Sequence, residues 1–221
     1  MIKNLIFDIG GVLVDFRPAG VLKDMGISEE RARVILRESI ASPLWHEMDR
    51  GAIPEEEVIA AMRGNVPEEM RADYDRFIEE GKPYLTIPFA YSAQWLKQFH
   101  DRGYGVYILS NYPVSYFEAH KAGFEFLKYT DGRVVSGYVK LLKPDPAIFR
   151  FAAERMGLAP EEILYCGDSA VDIQFAHNAG TRGIGCIWGF RGRQELAQAG
   201  ADFLAETPAA LAAIALREAQ K

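Results

Sequence analysis

Ile2-Lys3-Asn4-Leu5-Ile6-Phe7-Asp8-Ile9-Gly10-Gly11 opens the chain with a short apolar run that stops at an aspartate and two glycines. Such a run reads as a buried strand ending in a turn. The pattern recurs. Gly105 to Leu109 ends at Ser110-Asn111, Ile163 to Cys166 ends at Gly167-Asp168, and Gly183 to Trp188 ends at Gly189. A shorter run, Ala201 to Leu204, is followed by Glu206-Thr207-Pro208. Continuous rather than alternating apolar runs suit strands covered on both faces. Between them, apolar residues fall at helical spacing in Tyr91 to Arg102, Pro146 to Met156, Val171 to Ala179, Arg193 to Ala199 and Pro208 to Arg217. Alternating strands and helices predict an α/β protein with a Rossmann-like, doubly wound parallel sheet.

One block departs from the alternation. From Pro18 to Pro83 the sequence predicts helices and no strand. Ser28-Glu29-Glu30 supplies an N-cap hydroxyl and first-turn acids. Pro54 and Pro67, each followed by glutamates, are expected at first helical positions. The chain therefore reads as a core of residues 1–17 and 84–221 interrupted by an all-helical cap, 18–83. The cap joins the core through two short connections, near Phe16-Arg17-Pro18 and from Tyr84 to Pro88. Few contacts are expected to cross the cleft between them.

The composition excludes several partners. Net charge is −6 with no cluster of Lys and Arg, which argues against a nucleic-acid face. No apolar stretch is long enough to cross a bilayer, so no membrane partner is expected. The opening MIKNLIFDIGG does not read as a signal peptide. Cys166 and Cys186 both lie in apolar segments and are expected as buried thiols of a reducing, cytoplasmic compartment. Oligomeric state stays open.

In an open parallel sheet, ligands bind beyond the carboxyl ends of the strands. That rim would gather Asp8, Ser110, Asn111, Asp168 and Asp172, with Lys143 from the loop before Pro146. Clustered acids imply a hard cation, and Mg²⁺ prefers such oxygen ligands. A carboxylate attacking phosphorus, beside a metal, a lysine and neutral donors, is a set suited to phosphoryl transfer.

Four segments carry a resemblance: Ile6-Phe7-Asp8-Ile9-Gly10-Gly11-Val12-Leu13-Val14-Asp15, Ile108-Leu109-Ser110-Asn111, Lys143-Pro144-Asp145-Pro146-Ala147-Ile148-Phe149, and Gly167-Asp168-Ser169-Ala170-Val171-Asp172. In this order and spacing they resemble the motifs of the haloacid dehalogenase-like hydrolase superfamily, in its phosphatase branch with an α-helical cap. The resemblance implies a magnesium-dependent hydrolase of a small phosphorylated metabolite, working through an aspartyl-phosphate. It implies Asp8 as nucleophile and metal ligand, and the Gly10 carbonyl as a further ligand. Ser110 would bind phosphate, with the Asn111 amide beside it. Lys143 would steady nucleophile and phosphate. Asp168 would bind the metal directly, and Asp172 directly or through a neighbour. The helical block would be the lid that excludes water and chooses the substrate.

One position departs from the pattern. Most phosphatases of this superfamily carry a second Asp two residues after the nucleophile, as general acid and base. Here that residue is Gly10. The leaving oxygen must then depart unaided or draw its proton from water, substrate, Asp15 or a cap residue. Dehalogenases of the same superfamily also lack that Asp, since halide leaves without a proton, so metal-independent 2-haloacid hydrolysis is an alternative. Retention of Asp168 and Asp172 favours phosphate. A phosphomutase is a further alternative, weakened by its reliance on the missing acid. A non-catalytic binding protein is disfavoured by the retained charged set. The opening resembles that of sugar 1-phosphate phosphatases. The tail from Trp188 to Asp202 resembles that of phosphoglycolate phosphatases, so the two ends point to different substrates.

Other residues are read more plainly. Trp45, His46, Glu47, Asp49 and Arg50 are the cap residues expected to influence substrate choice, although Trp45 reads first as cap core. Arg191 and Arg193 read as surface charges that could reach an anionic substrate. His46, His100, His120 and His177 show no obvious partner and read as structural or exposed. Asp145 reads as an N-cap, and Lys140 is the weaker rival to Lys143, lacking the Pro-Asp-Pro that follows it.

Overall fold

The computed structural model describes residues 1–220. Its strands are β1 (Asn4–Phe7), β2 (Val14–Phe16), β3 (Thr86–Pro88), β4 (Gly105–Ser110), β5 (Gly132–Val135), β6 (Ile163–Gly167), β7 (Arg182–Cys186) and β8 (Phe203–Ala205). Six of them form one parallel sheet in the order β5-β4-β1-β6-β7-β8. β1 lies between β4 and β6, with Phe7 in register with Ile108 and Cys166. The chain fills one side of β1, then crosses to fill the other. The reversal places the crevice of a doubly wound sheet at the carboxyl end of β1. β6 is buried at every residue, as its unbroken apolar run anticipates.

The helices in chain order are α1 (Pro18–Asp24), α2 (Glu29–Glu38), α3 (Trp45–Arg50), α4 (Glu55–Asn65), α5 (Arg71–Glu80), α6 (Ser92–His100), α7 (Val114–His120), α8 (Ser136–Val139), α9 (Pro146–Met156), α10 (Ala170–Asn178), α11 (Gly192–Gln198) and α12 (Pro208–Glu218). Tyr165, Phe149 and Phe175 pack together under α9 and α10 on one face of the sheet. On the other face Phe7 packs edge to face against Trp95 of α6, with Phe99 tilted against both. Among the described residues no helix is long and apolar enough to cross a membrane. Cys166 and Cys186 are both buried and unpaired.

Three sequence expectations need correction. β5 was missed, because a half-exposed edge strand of sequence Gly-Arg-Val-Val offers no continuous apolar run. Pro54 and Pro67 occupy N-cap positions, one residue before the helical turn, with extended ψ of 132° and 140°. A residue lacking an N–H loses nothing at a cap, whose own N–H stands outside the helix. The two connections flanking the helical block are not loose linkers. β2 and β3 pair antiparallel, Asp15 opposite Ile87, as a two-stranded ribbon at the base of α1–α5.

Nor is the cleft between block and sheet sparsely bridged. Lys82 Nζ donates to Ser115 Oγ at 3.0 Å, and that hydroxyl donates to Glu55 Oε1 at 2.6 Å. His120 Nε2 lies 2.6 Å from the Lys82 carbonyl. Ser136 Oγ donates to the Asp49 carbonyl at 2.5 Å and accepts from the Tyr112 N–H at 2.8 Å. The block is seated on α7 and α8 by buried and half-buried polar contacts. Ser136→Ala would leave the Tyr112 N–H and the Asp49 carbonyl without that partner. A loss of ~1–3 kcal/mol of stability is expected from a buried group left unpaired. Urea titration measures it; an unchanged midpoint and slope would show that the hydroxyl does not secure the block.

Candidate active site

Asp8 is the residue after β1 and is 9% exposed. Its N–H donates to the Cys166 carbonyl at 2.9 Å, extending the β1–β6 pairing by one residue into the crevice. Gly11 makes the turn that follows. Its φ is +67°, and a Cβ there would lie 2.1 Å from Asp168 Oδ2. Only glycine allows both the left-handed turn and the approach of Asp168 to Asp8.

Lys143 reaches the same point from the loop before α9. Its Nζ lies 2.9 Å from Asp8 Oδ1, 2.6 Å from Asp172 Oδ1 and 2.8 Å from the Tyr165 hydroxyl. All three groups lie at or beside the ends of β1 and β6. The Asn111 side chain grips the Lys143 backbone from both sides, donating to its carbonyl at 3.1 Å and accepting from its N–H at 2.9 Å. That amide was expected beside the phosphate; Asn111 lines the cavity with Ser110, and its side chain also holds the Lys143 backbone. Ser110 ends β4, is 1% exposed and lines the same cavity as Asp8. Lys140, the rival lysine, sits in a left-handed turn at the end of α8 and takes no part in this cluster.

Asp172 and Asp168 behave differently. Asp172 forms a capping box with Ser169 at the start of α10. Its Oδ2 accepts from Ser169 Oγ at 2.6 Å and from the Asp168 and Ser169 N–H groups at 3.2 and 3.1 Å. With Oδ1 on Lys143, both its oxygens are engaged. Asp168 Oδ2 has one donor, the Phe190 N–H at 2.7 Å. Oxygens of Asp8, Asp168 and Asp172 all lie within 4.8 Å of one another. Three carboxylates facing one ammonium form a hard-oxygen site with surplus negative charge, which a divalent cation fits. Such a cation would be held by the Asp8 and Asp168 carboxylates, while both Asp172 oxygens are already engaged, Oδ1 by Lys143.

The electrostatics follow from burial and like charge. Burial, followed by Asp172, raises Asp8, while Lys143 and Ser110 oppose the rise. Burial also opposes ionisation of Asp172, but Lys143 and Ser169 outweigh it and hold that carboxyl below its usual range. Burial pulls on Lys143 in the opposite direction, yet Asp172 and Asp8 keep its ammonium charged above the ordinary lysine range. Asp168 is pushed up to about 7 by burial, then by Asp172 and Asp8.

Several expectations fall outside the cluster. Asp15 is exposed on the ribbon strand β2. Arg193 pairs with Glu206 on the surface and Arg191 is exposed, so neither lines the crevice. Asp145 caps α9 through the Ala147 N–H, as expected. His120, read as having no obvious partner, is buried between Tyr112 and the Lys82 carbonyl. Burial lowers its pKa, so the neutral ring donates from Nε2 to that carbonyl and accepts the Tyr112 hydroxyl proton at Nδ1. Trp45 is buried edge-on against Tyr116, and it also lines the cavity above Asp8.

That cavity, of about 120 Å³, has Asp8, Gly10, Ser110 and Asn111 at its base. Phe16, Trp45, Asp49, Thr86, Tyr112 and Tyr116 are among its walls. Tyr116 carries a buried hydroxyl without a partner among the described residues. The sequence reading missed Tyr165, Tyr112 and Tyr116, because a tyrosine in an apolar segment reads as core until its hydroxyl is located.

Fold and site together define a hydrolase built around a strand-end aspartate. The chain belongs to the haloacid dehalogenase-like hydrolases, whose family model matches residues 2–180. Among its relatives is a phosphoglycolate phosphatase of Shigella boydii serotype 4, 26% identical over 211 residues, covering 86% of this chain and 82% of that protein. The phosphoglycolate phosphatase of Escherichia coli strain K12 matches with the same identity and coverage. Among solved structures, a predicted phosphoglycolate phosphatase from Haemophilus somnus 129pt superposes with a TM-score of 0.67 at 19% identity, over 96% of this chain and 97% of that one. A dehalogenase captured with an intermediate superposes at 0.74 and 20% identity, over 96% of both chains. At these identities the structural likeness establishes the fold alone.

The raised Asp168 carboxyl has a consequence for metal binding. If Asp168 ligates a metal, its carboxylate must lose its proton, so protons would compete with the metal below about pH 7. Apparent Mg²⁺ affinity is therefore expected to rise between about pH 6 and pH 8, by up to ~10-fold per unit below 7 for one displaced proton. Calorimetric titration at fixed ionic strength checks this; an affinity flat across that range would remove Asp168 from the metal site.

Proposed function

We propose that this chain is a magnesium-dependent phosphomonoester hydrolase acting on a small phosphorylated metabolite through an aspartyl-phosphate on Asp8. The observation that carries this reading is the convergence of Asp8, Lys143, Asp168 and Asp172 at the carboxyl end of the central strand. Asp8 lies at the base of the cavity, where a carboxylate oxygen can face a phosphorus atom. Ser110 and Lys143 supply a hydroxyl and an ammonium for the equatorial oxygens that carry charge in the transition state. Mg²⁺, held by Asp8, Asp168 and the Gly10 carbonyl, would neutralise part of the phosphoryl charge. Asp172 keeps the Lys143 ammonium aimed at Asp8 and supports it as a charged group.

Residues 18–83 act in this reading as a cap, swinging on the β2–β3 ribbon to admit substrate and closing to exclude water. The small volume of the cavity, about 120 Å³, suits a compact metabolite rather than a polymer. Its walls mix Trp45 and Phe16 with the hydroxyls of Tyr112, Tyr116 and Thr86, a lining matched to a hydroxylated carbon skeleton. A sugar phosphate or a phosphoglycolate-like acid fits that description. The relatives named as phosphoglycolate phosphatases support the second, and the hydroxyl-bearing walls support the first. Cytoplasmic location fits such a substrate.

A panel of phosphorylated metabolites, assayed with Mg²⁺ and with a chelator, tests the reading. Phosphate release is expected with the metal and a loss of at least ~100-fold without it. Asp8→Asn is expected to abolish turnover while keeping the native melting curve. Halide release from a 2-haloacid in the presence of chelator would establish the dehalogenase reading instead.

A further inference from the structure

Gly10 leaves the reaction without its usual proton donor, and the space beside it is open. A Cβ at that position would meet nothing within 4 Å, and its φ is not in the left-handed region. Asp15 is exposed on β2 and does not line the cavity. His120 has both ring nitrogens engaged, and the Tyr112 hydroxyl proton is committed to it. One carboxyl remains in the cavity wall opposite the strand ends: Asp49, on α3, 7% exposed.

Its placement is fixed by the core as well as by the cap. The Asp49 carbonyl accepts from Ser136 Oγ at 2.5 Å, and the same hydroxyl accepts from the N–H of Tyr112, two residues beyond Ser110. Immediately after α3, Gly51 adopts φ +65°, and a Cβ there would lie 2.6 Å from the Gly137 carbonyl. The end of α3 thus packs backbone to backbone against α8 in the closed state. The charged groups around the Asp49 carboxyl are few. On its own helix, His46 Nδ1 lies 3.9 Å from Asp49 Oδ2, while Glu47 and Arg50 pair with each other at 3.3 Å. From the core, the Lys143 ammonium acts on it weakly.

We propose that Asp49 is the general acid and base of this active site, supplied by the cap in place of the residue missing at position 10. This rests on the phosphatase reading above. As an Asp8 oxygen bonds to phosphorus and the phosphorus–oxygen bond to the leaving group breaks, the Asp49 carboxyl gives its proton to the departing oxygen. The products are the free alcohol, the phosphoryl group on Asp8 and an Asp49 carboxylate. That carboxylate then takes a proton from a water whose oxygen bonds to phosphorus as the bond to Asp8 breaks. Inorganic phosphate leaves, and Asp49 is protonated again. Burial raises the Asp49 carboxyl above the ordinary aspartate range, with His46 opposing the rise, so it holds a proton to higher pH than a solvated aspartate. His46 is largely exposed and gives the carboxyl an outlet for protons to solvent.

Chemistry on a cap residue also couples catalysis to closure. An open cap withdraws the acid, so the aspartyl-phosphate forms only around a bound substrate.

The test is the aspartyl-phosphate-forming rate across a graded series of aryl and alkyl phosphates, with Mg²⁺, for the native chain and for Asp49→Asn. A general acid contributes ~10²–10⁴-fold, and that loss is expected for alkyl phosphates. It should shrink steadily as the leaving group becomes more acidic, which a merely structural role for Asp49 would not produce. Gly10→Asp, placed in the Asp49→Asn background, should return alkyl phosphate turnover, since the space at Gly10 admits the side chain. A loss of equal size for every leaving group, or no loss for alkyl phosphates, would overturn the proposal. So would a double variant no better than Asp49→Asn on alkyl phosphates. A native chain that cleaves neither class with Mg²⁺ would instead overturn the phosphatase reading, and this role with it.

Discussion

The buried Lys143 ammonium, shared between Asp8 and Asp172, is the interaction on which the rest of this structure depends. Three carboxylates cannot approach one another in a dry crevice without a compensating charge. Lys143 supplies part of it at 2.9 and 2.6 Å, and the Asn111 side chain fixes the lysine's backbone on both sides. Truncating one member of such a network typically costs ~3–5 kcal/mol, because the partner charges stay buried. In the proposed function, a divalent cation would balance the negative charge that Lys143 leaves uncompensated.

Topology delivers those groups to one place. With β1 at the centre of the sheet, the ends of β1, β4 and β6 lie side by side, and the loops beyond them bring in Asp8, Ser110 and Asp168. Gly11 removes the side chain that would keep Asp168 away from Asp8. The helical block returns to the sheet through the β2–β3 ribbon, so its entry and exit are held together. Polar contacts through Ser136, Ser115 and His120 then seat it over the strand ends. In the proposed function these contacts must separate for the block to open.

How much of this was legible in the sequence follows from the kind of signal each residue leaves. The run ending at Asp8 announces strand and turn together, since a buried strand needs unbroken apolar residues and a turn needs glycine. The same holds for β4, β6 and β7, and it places Ser110 and Asp168 at strand ends. β5, β2 and β3 were not legible: three or four residues, half exposed, leave no period to read. The commitment of Asn111 to Lys143 could not be read either, because it depends on two loops meeting across 32 residues of chain. Tyr165 hid as an apolar strand residue. Asp49 was legible only as one of five cap residues expected near the substrate, and the docking of α3 against Ser136 is what singles it out as a cavity wall.

The central claim is that Asp8 itself carries the phosphoryl group during turnover. Rapid acid quench of the native chain with Mg²⁺ and a turned-over phosphate ester, followed by peptide mapping, tests it most directly. The account predicts a hydroxylamine-labile phosphoryl group on the peptide containing Asp8, formed within the first turnover and absent in Asp8→Asn. Steady phosphate release with no phosphorylated peptide at any quench time, or with the group on another residue, would contradict it.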